Sequence, residues 1–452
     1  MNVFYKILAI VMAFSSVSYA QDFTITAPKS PKDDWCDFSY NGNFYTIESG
    51  ASNTTYKTKI VTYDQDFNVI SELPSDRKLR SNELSLVSDK GTAFAFSMYD
   101  NENRLGVLNK GGFHKLKSKD SFVQFITNQK VIIARMEENI LGTDIGWKIE
   151  VTDMSTEEIE KFEMEAPTFR GEKLYGAWLM DYKEDRFKIA YINKSSEEKN
   201  FRNYIAVEYD FKGKIIDQQS IEVFLKDSKF SFLNDHPGAY DTYGSVNSSM
   251  VTAVNSPLAN GVLYYDRYDD AYYAFGGYER KRDVSGIYVH KYDTSGKLVW
   301  KQQYPLDDFK LKYLNSYNRI LNFDIGPTSI GMNLYTRKGK DYCGFYLVDK
   351  ENGGLIGSKI LDHYELYKWS HKYNTIFAPF ESKDTPFKDL VFNRFVVYGM
   401  LEDPSFAEFV EQMQEDYLLK AYWNVEGLNV LYTKKKKSPE IYFKSFKNSK
   451  SL

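Results

Sequence analysis

Cysteine and histidine are scarce in this chain of 452 residues, which has two cysteines and five histidines. A disulfide framework needs several cysteine pairs, and zinc sites use clustered Cys and His ligands, so the sequence indicates neither. Cys36 and Cys343 could form one disulfide in an oxidising compartment if the fold brings them together. Two separate buried thiols are the favoured interpretation. We predict no metal site and no cofactor.

An excess of charge of one sign is also absent. The chain has 58 Lys and Arg against 62 Asp and Glu, which gives a formal net charge of -4. Since nucleic-acid binding depends on a strong positive field, we expect no nucleic-acid partner. Catalytic signatures are missing as well, because no HExxH pair, G-x-S-x-G elbow, P-loop or dinucleotide fingerprint stands in a suitable context.

Long apolar runs are confined to the N-terminus. Residues 1–20 combine Lys6, the run ILAIVMAF and the small residues Ser18 and Ala20, a pattern typical of a cleaved secretory signal. The run is too short to span about 30 Å of hydrocarbon. We therefore expect a mature chain of residues 21–452 that is exported to the periplasm or the cell exterior and has no integral membrane segment.

Strand signals, by contrast, are abundant, and the chain has 36 Tyr and 32 Phe. The clearest signal is residues 287–306, IYVHKYDTSGKLVWKQQYPL, in which two strands flank a turn. Asp293 can accept hydrogen bonds from the turn amides, and Gly296 can adopt positive φ. The pattern recurs at residues 209–214 and, more weakly, at residues 63–68 and 349–354. Each copy predicts a β-hairpin.

Apolar side chains occupy both faces of the clearest hairpin, with Ile287 and Val289 on one side and Tyr288 and Tyr292 on the other. Strands of this kind need cover on both faces, which stacked propeller blades provide. The unit strand-Tyr-Asp-x-x-Gly-Lys-strand resembles the blade repeats of secreted bacterial β-propellers, the broad group with quinoprotein-like and YVTN-type repeats. This resemblance implies an architecture, and it carries over no cofactor, partner or activity.

The sequence therefore predicts an all-β fold, in which residues 21–452 form a single β-propeller domain of seven blades. Six blades plus an extra domain, and two β-sandwiches, are the alternatives. One amphipathic helix is predicted at about residues 404–421, because Phe406, Phe409, Val410 and Met413 recur at helical spacing.

Two local patterns have more than one interpretation. Asp64, Asp66 and Asn68 are spaced like the start of a calcium loop, but the glycine and the closing Glu of such a loop are missing, so turn chemistry is favoured. Asn68 stands near the position of the turn glycine. Gly276 and Gly277 are interpreted as turn residues within an aromatic hairpin.

Two segments could form a binding surface. Residues 234–249 are rich in loop-forming residues, and acidic residues cluster among tyrosines at 264–273, which would suit a glycan or a peptide. The candidate binding residues are His236, Tyr240, Asp241, Tyr243, Tyr265, Asp266, Tyr268 and Asp269. The competing interpretations are a permissive connection between blades and tyrosines packed between strands.

We expect a monomeric, exported, non-catalytic scaffold that binds a protein or glycan partner of the cell envelope or exterior through loops on one face. The alternative is a carbohydrate-active hydrolase or lyase, since glycoside cleavage needs only two carboxyl groups about 5–10 Å apart. The sequence names no catalytic residue. Two or three converging carboxylates in a funnel, or one with a strongly raised pKa, would favour the enzyme.

Overall fold

The structure is a computed structural model. It describes residues 23–26, 36–39, 42–50, 54–64, 66–80, 83–98, 104–117, 123–138, 145–167, 174–193, 200–231, 262–267, 269–280, 283–305, 319–325, 329–336, 342–362, 378–381, 388–392, 395–397, 417–424, 427–433 and 440–447. All regular elements within these ranges are β-strands. The expected signal, residues 1–20, lies outside them.

The described strands form eight antiparallel sheets. The first strand, β1 (Phe23–Thr26), belongs to the last sheet. Sheet 1 contains β2 (Cys36–Phe38), β3 (Phe44–Ser49), β4 (Thr58–Tyr63) and β5 (Val69–Ser75). Sheet 2 contains β6 (Leu84–Val87), β7 (Phe94–Met98), β8 (Arg104–Asn109) and β9 (Gly112–Lys117). Sheet 3 contains β10 (Val123–Ile126), β11 (Lys130–Glu138), β12 (Ile145–Asp153) and β13 (Ile159–Glu163). Sheet 4 contains β14 (Leu174–Tyr182), β15 (Arg186–Asn193), β16 (Phe201–Asp210) and β17 (Ile215–Phe224).

The remaining four sheets continue in chain order. Sheet 5 contains β18 (Lys229–Ser231), β19 (Val262–Asp266), β20 (Ala271–Arg280), β21 (Asp283–Tyr292) and β22 (Leu298–Pro305). Sheet 6 contains β23 (Arg319–Ile325), β24 (Ser329–Thr336), β25 (Tyr342–Asp349) and β26 (Leu355–Asp362). Sheet 7 contains β27 (Ala378–Glu381), β28 (Lys388–Phe392) and β29 (Phe395–Val397). Sheet 8 contains β30 (Tyr417–Asn424), β31 (Gly427–Thr433), β32 (Glu440–Lys447) and β1.

Sheets 1–4 and 6 are simple meanders, in which each strand pairs with the next one in the chain. Among the contacts between sheets, β6 contacts β10, β10 contacts β14, and β14 contacts β19, while β5, at the opposite edge of sheet 1, contacts β8 and β9. Strand β2 contacts β30, which joins the first sheet to the last. In sheet 8, β1 pairs with β32, so an N-terminal strand completes the C-terminal sheet. This arrangement is consistent with propeller blades whose first strands are innermost.

The apolar core consists of layers between neighbouring sheets. One cluster joins Tyr45 and Ile60 of sheet 1 to Phe94 of sheet 2, and another joins Tyr204 of sheet 4 to Tyr288 of sheet 5. Both faces of β21 are buried, as the alternation of its side chains predicted, because Ile287, Tyr288, Val289, His290 and Tyr292 all have little or no exposure. Stacking of sheet on sheet therefore supplies the cover that one sheet lacks.

The prediction of seven blades is not confirmed, since the described residues alone form eight sheets. The C-terminal helix is not confirmed either. Residues 404–416 of the predicted range lie outside the described residues, and residues 417–421 belong to β30. No helix in the described part of the chain is long and apolar enough to cross a membrane.

The interpretation of Gly276 and Gly277 as turn residues is wrong, because both lie inside β20. A Cβ added to Gly276 would stand 2.6 Å from the ring of Tyr288, the residue opposite it on β21. Glycine is required here because the tyrosine ring lies directly against the backbone. The chain instead turns between β19 and β20, where Asp270 adopts a positive φ of 48°.

Candidate functional site

The turn between the third and fourth strands of a sheet recurs with the same hydrogen bonds. Asp210 Oδ1 accepts bonds from the amides of Lys212 and Lys214, both at 2.9 Å. Asp293 Oδ1 accepts from the amides of Ser295 and Lys297, at 2.9 and 3.0 Å. The hydrogen bonds of the turn hold the pKa of Asp293 below its usual value, the Ser295 hydroxyl contributing most.

One residue of each such turn adopts a left-handed conformation. Gly213 has φ of 78° and Gly296 has φ of 79°. In the copy at residues 63–68 this position is held by Phe67, with φ of 66°, and not by Asn68 as predicted. Asp64 caps that turn by accepting from the amides of Asp66 and Asn68, at 2.9 and 2.8 Å. The calcium-like spacing is therefore explained by turn geometry.

The tyrosine that precedes the capping aspartate ties one sheet to the next. The hydroxyl of Tyr209 donates to the carbonyl of Glu165 at 3.2 Å, and that of Tyr292 donates to the carbonyl of Glu222 at 2.8 Å. Both rings are buried. Each residue of the Tyr-Asp-x-x-Gly unit thus has a role in folding, as the sequence predicted for Asp293 and Gly296.

Two of these turns are one residue longer, and the residue after the aspartate points inward in both. Asp153 begins the β12–β13 turn and is followed by Met154, which is fully buried. Asp349 begins the β25–β26 turn and is followed by Lys350, of which 3% is exposed. A lysine is almost never buried without an anionic partner, so its surroundings determine whether the turn can form.

Lys350 is paired with the end of β19. Its Nζ contacts Asp266 Oδ2 and lies 3.5 Å from Asp269 Oδ1. Asp266 has no exposed surface. Two more groups hold Asp269: the Tyr273 hydroxyl donates to its Oδ2 at 2.7 Å, and Lys291 Nζ lies 2.5 Å from the same oxygen. Two carboxylates and two ammonium groups are thus brought together between sheets 5 and 6.

The pKa values of the two carboxyl groups in this acid and lysine cluster are shifted in opposite directions. Burial raises the pKa of Asp266 to about 7, and Asp269 adds to this, although Lys350 opposes it. Burial also acts to raise the pKa of Asp269. The hydrogen bonds from Asp266, Lys291 and Tyr273 and the charge of Lys350 outweigh it, so the pKa of Asp269 falls well below its usual value. As the pH falls, Asp266 therefore takes up a proton before Asp269 does.

Arg267, the next residue after Asp266, connects three sheets. Its guanidinium lies 3.0 Å from Asp89 Oδ1, which follows β6 of sheet 2. It also donates to Asp181 Oδ1 at 2.6 Å and to the carbonyl of Tyr182, both at the end of β14 of sheet 4. The ends of β6, β14 and β19, which belong to sheets 2, 4 and 5, thus meet around one cation, as expected where innermost strands of blades converge.

Tyr265 lies on the other side of the same hairpin. Its hydroxyl donates to Asp270 Oδ1, and Lys188 Nζ lies 4.0 Å from the centre of its ring. Only 5% of Tyr265 is exposed, and its ring packs against that of Tyr272 with centroids 5.4 Å apart. Its aromatic face is therefore occupied by groups of the chain itself.

The structure brings together some of the predicted binding residues and leaves others untested. Tyr265, Asp266 and Asp269 lie on the β19–β20 hairpin, where Tyr265 and Asp266 are buried and Asp269 is engaged by two lysines. Four residues of the long loop, and Tyr268, lie outside the described residues: His236, Tyr240, Asp241, Tyr243 and Tyr268.

Sequence reasoning missed the cationic half of the site, which consists of Lys350, Lys291 and Arg267. One signal could have found Lys350. When the two longer turns are aligned on Asp153 and Asp349, Lys350 takes the position of Met154. The pattern therefore predicts an inward-facing lysine, which needs a buried acid. Nothing in the sequence pointed to the pairing with Asp266, which is 84 residues away.

Converging carboxylates, or one carboxylate with a raised pKa, are the features that would favour an enzyme. Asp266 and Asp269 lie close together, and the pKa of Asp266 is raised. Asp266, however, cannot contact a substrate while it has no exposed surface, and each carboxylate of the cluster has a cation beside it. The arrangement can hold two sheets in register and can exchange a proton internally. The described residues include no group of three His, Cys, Asp or Glu that could hold a metal.

The two cysteines lie in different sheets. Cys36 is buried in β2 of sheet 1, and Cys343 lies in β25 of sheet 6, where the placement of its side chain is outside the described part of the chain. Their pairing stays a prediction, with separate thiols favoured. Alkylation of the unfolded, unreduced protein should add two labels per chain, and zero labels would establish a disulfide.

No protein-family model and no curated protein matches this chain. Among solved structures it is similar to the β-propeller domain of the trilobed protease from Pyrococcus furiosus, with 11% identity, a TM-score of 0.33, and coverage of 91% of this chain and 92% of that one. The WD40 domain of SCAP from fission yeast gives 8% identity, a TM-score of 0.28, and coverage of 94% and 98%. The acylaminoacyl peptidase of Pyrococcus horikoshii gives 12% identity, a TM-score of 0.28, and coverage of 81% of this chain and 57% of that one. These neighbours include propeller domains, but similarity at this level carries no argument about activity.

Proposed function

We propose that this protein is an exported, single-domain, non-catalytic propeller scaffold that binds a protein or glycan partner of the cell envelope or exterior. The observation that carries the proposal is a row of exposed apolar side chains at one position of the repeat. They are the first or second residues of five outer strands, directly after the turn: Val69, Ile70, Ile159, Ile216, Leu298, Val299 and Leu355, which are 40–53% exposed.

An exposed apolar side chain on an outer strand is a liability, because the unpaired edge of such a strand can join another chain. Natural proteins usually place charged residues there. One such residue would need no explanation. Recurrence at the same position in sheets 1, 3, 4, 5 and 6 supports a surface that a partner covers, and aliphatic side chains suit a protein partner better than a glycan, which prefers aromatic faces.

The acid and lysine cluster supports the non-catalytic part of the proposal. Its carboxyl groups are neutralised by Lys350 and Lys291, and Asp266 is fully buried. A general acid must reach the bond that it protonates, within about 3 Å or through one water. A buried acid of this kind is better explained as part of the contact between sheets 5 and 6.

Photo-crosslinking in intact cells tests the binding surface. A crosslinking amino acid is placed at Ile216 or Val299, beside the turns, and as a matched control at Phe224, an exposed apolar residue at the far end of the strand of Ile216. We expect one protein adduct from Ile216 and Val299 and none from Phe224. No adduct, or equal adducts from all three positions, would contradict the proposal. N-terminal sequencing of the purified protein should begin at Gln21 if the signal is cleaved.

A carboxylate-dependent glycoside hydrolase or lyase is the second candidate, favoured by the raised pKa of Asp266 beside Asp269. The purified protein is incubated with envelope polysaccharides, and released sugars are measured for the wild type and Asp269→Asn. Turnover that is lost in a folded Asp269→Asn variant would support the enzyme and overturn the scaffold. Absence of turnover in both, together with a crosslinked partner, is the result that we expect.

A further inference from the structure

Lys350, Asp266 and Asp269 bring an amine and two carboxyl groups within contact of one another. The amine contacts the carboxyl group of Asp266, and the carboxyl group of Asp269, which is paired with Lys291, lies 3.5 Å from the same amine. The amine side chain is 4% exposed and the side chain of Asp266 is not exposed at all. We propose that Lys350 Nζ and Asp266 Cγ condense to an intramolecular isopeptide bond, with Asp269 transferring the proton.

The geometry suits attack on the carboxyl carbon. Lys350 Nζ already contacts Asp266 Oδ2, and Cγ is one bond beyond that oxygen. The nitrogen is therefore near the separation of about 3–3.5 Å from which a reaction of this kind begins. Both groups are held in place by the fold, since Lys350 belongs to an aspartate-capped turn and Asp266 ends β19. Such positioning is the main requirement for a reaction without an external catalyst.

The condensation balances with no other reactant. A proton first moves from the Lys350 ammonium to the Asp266 carboxylate, which removes two buried charges from a medium that solvates them poorly. The amine lone pair then forms the N–C bond. Asp269 accepts a proton from the nitrogen and returns it to the departing hydroxyl as the C–O bond breaks. One water molecule leaves, Asp269 is regenerated, and nothing is oxidised or reduced.

The neighbours of Asp269 keep it ionised for this role. Lys291 Nζ is 2.5 Å from its Oδ2, and the Tyr273 hydroxyl donates to the same oxygen at 2.7 Å. Its other oxygen, Oδ1, remains directed toward Lys350. Lys350 Nζ also lies 5.8 Å from the centre of the Tyr273 ring, so one side of the amine faces an aromatic surface. Because the side chains of Lys350 and Asp266 are buried, water has little access to the amide once it has formed, which disfavours its hydrolysis.

The bond would join the end of β19 in sheet 5 to the β25–β26 turn of sheet 6. It would close a loop between residues 84 positions apart in sequence. Such a loop restricts the unfolded chain, in the same way as a disulfide does. A cross-link of this kind needs no cysteine pair, which fits a chain expected outside the cell with only two cysteines.

Mass spectrometry of the full mature chain tests the bond. The wild-type protein is denatured, its intact mass is measured, and a protease digest is searched for a branched peptide that joins Asp266 to Lys350. We expect an intact mass lower by one water and the branched peptide in most molecules. Recovery of both segments as separate linear peptides would overturn the proposal, as would loss of water confined to the Asp266 peptide, which indicates a succinimide.

Three variants separate the roles of the residues. Lys350→Arg keeps a cation beside both carboxylates but cannot form the amide, so it should show the full mass. Asp269→Asn keeps the reacting pair but removes the proton carrier, and the branched peptide should form about 100-fold more slowly in newly made protein. Lys297→Arg, the matched control, changes an exposed lysine of sheet 5 outside the cluster and should form the bond. Equal rates in Asp269→Asn and the wild type would remove Asp269 from the reaction.

Discussion

Two turns in this protein have the same backbone conformation, but the side chain that each directs inward is apolar in one and charged in the other. In the β12–β13 turn, Asp153 accepts from the amides of Ser155 and Thr156, and Met154 enters an apolar cluster. In the β25–β26 turn, Asp349 accepts from the amides of Glu351 and Asn352, and Lys350 enters the acid and lysine cluster. The backbone requires only an aspartate cap and a left-handed residue, Glu157 in the first turn and Gly353 in the second.

The difference lies in how much each inward side chain demands of its neighbours. Methionine is accepted by any apolar cavity of about the right size. A buried ammonium instead requires an anion at a fixed position, and leaving it unpaired is costly. The contact that Met154 makes between sheets 2 and 3 is therefore tolerant, whereas the polar contact between sheets 5 and 6 specifies which residues must meet.

Exchanging the inward side chains of the two turns, Met154 and Lys350, should have the largest effect on the free energy of unfolding. Lys350→Met leaves the buried Asp266 without its cation, while the partly exposed Asp269 keeps Lys291. Met154→Lys buries a cation without an anion. Each change should destabilise the protein by about 3–5 kcal/mol. Urea denaturation followed by tryptophan fluorescence measures both losses.

The double variant Lys350→Met with Asp266→Asn is the control for that exchange. Because it removes both members of the buried pair, it should recover part of the stability that Lys350→Met loses. A single Lys350→Met variant as stable as the wild type would show that the cluster contributes little to the contact between sheets 5 and 6.

The polar region should also respond to acid through His290, the buried residue beside Lys291 on β21. Burial, and secondly the charge of Lys301, lower the pKa of His290 to about 4. Between pH 6.5 and pH 4 the unfolded chain gains a proton that the native histidine does not, so this residue's contribution to stability falls as the pH falls. The loss over this range should reach about 3 kcal/mol.

The variant His290→Gln isolates this contribution from that of Asp266, whose carboxyl group, wherever it is not bonded to Lys350, has a raised pKa and acts in the opposite sense between about pH 4 and 7. The measured quantity is the difference in unfolding free energy between the wild type and the variant across that range. A difference that does not change with pH would rule out a neutral buried histidine. Lys301→Gln should make the loss smaller and end it at a higher pH, since removing this charge lets the pKa of His290 rise toward its usual value.

The left-handed residues give the smallest expected effects. In Gly296→Ala a Cβ would stand 2.9 Å from the carbonyl oxygen of Ser220, at φ of 79°, so the variant should lose about 1–2 kcal/mol. Glu157→Gly should gain up to about 1 kcal/mol, because its φ of 59° is strained for a residue with a side chain. Thermal unfolding of the two variants beside the wild type compares them. Equal shifts in the same direction would contradict the assignment of strain.

Much of the hairpin architecture could be predicted because its causes are local. Asp293, Gly296 and the alternating apolar residues of β21 and β22 fix a turn and two strands within about twenty residues. The degenerate copies were harder, since Phe67 and Glu157 take the left-handed position that glycine normally marks. Gly276 was wrongly assigned to a turn because glycine is required there by the ring of Tyr288, which lies on the neighbouring strand.

The candidate site could be predicted only on its acidic side. Asp266 and Asp269 stand close together in sequence among tyrosines, which drew notice to the hairpin as a binding patch. Burial of Asp266, however, depends on Lys350, which comes from the next sheet. An exposed acidic patch and a buried, neutralised cluster have the same local sequence, and only the partner distinguishes them.

The sequence by itself determined the strands, the aspartate-capped turns and the need for cover on both faces, since these follow from hydrogen bonding and side-chain alternation over short distances. The tertiary structure alone decided which sheets meet, how an N-terminal strand completes the last sheet, and that Lys350 lies against Asp266 and Asp269. Those pairings join residues far apart in the chain, and their energies depend on burial, which no local pattern specifies.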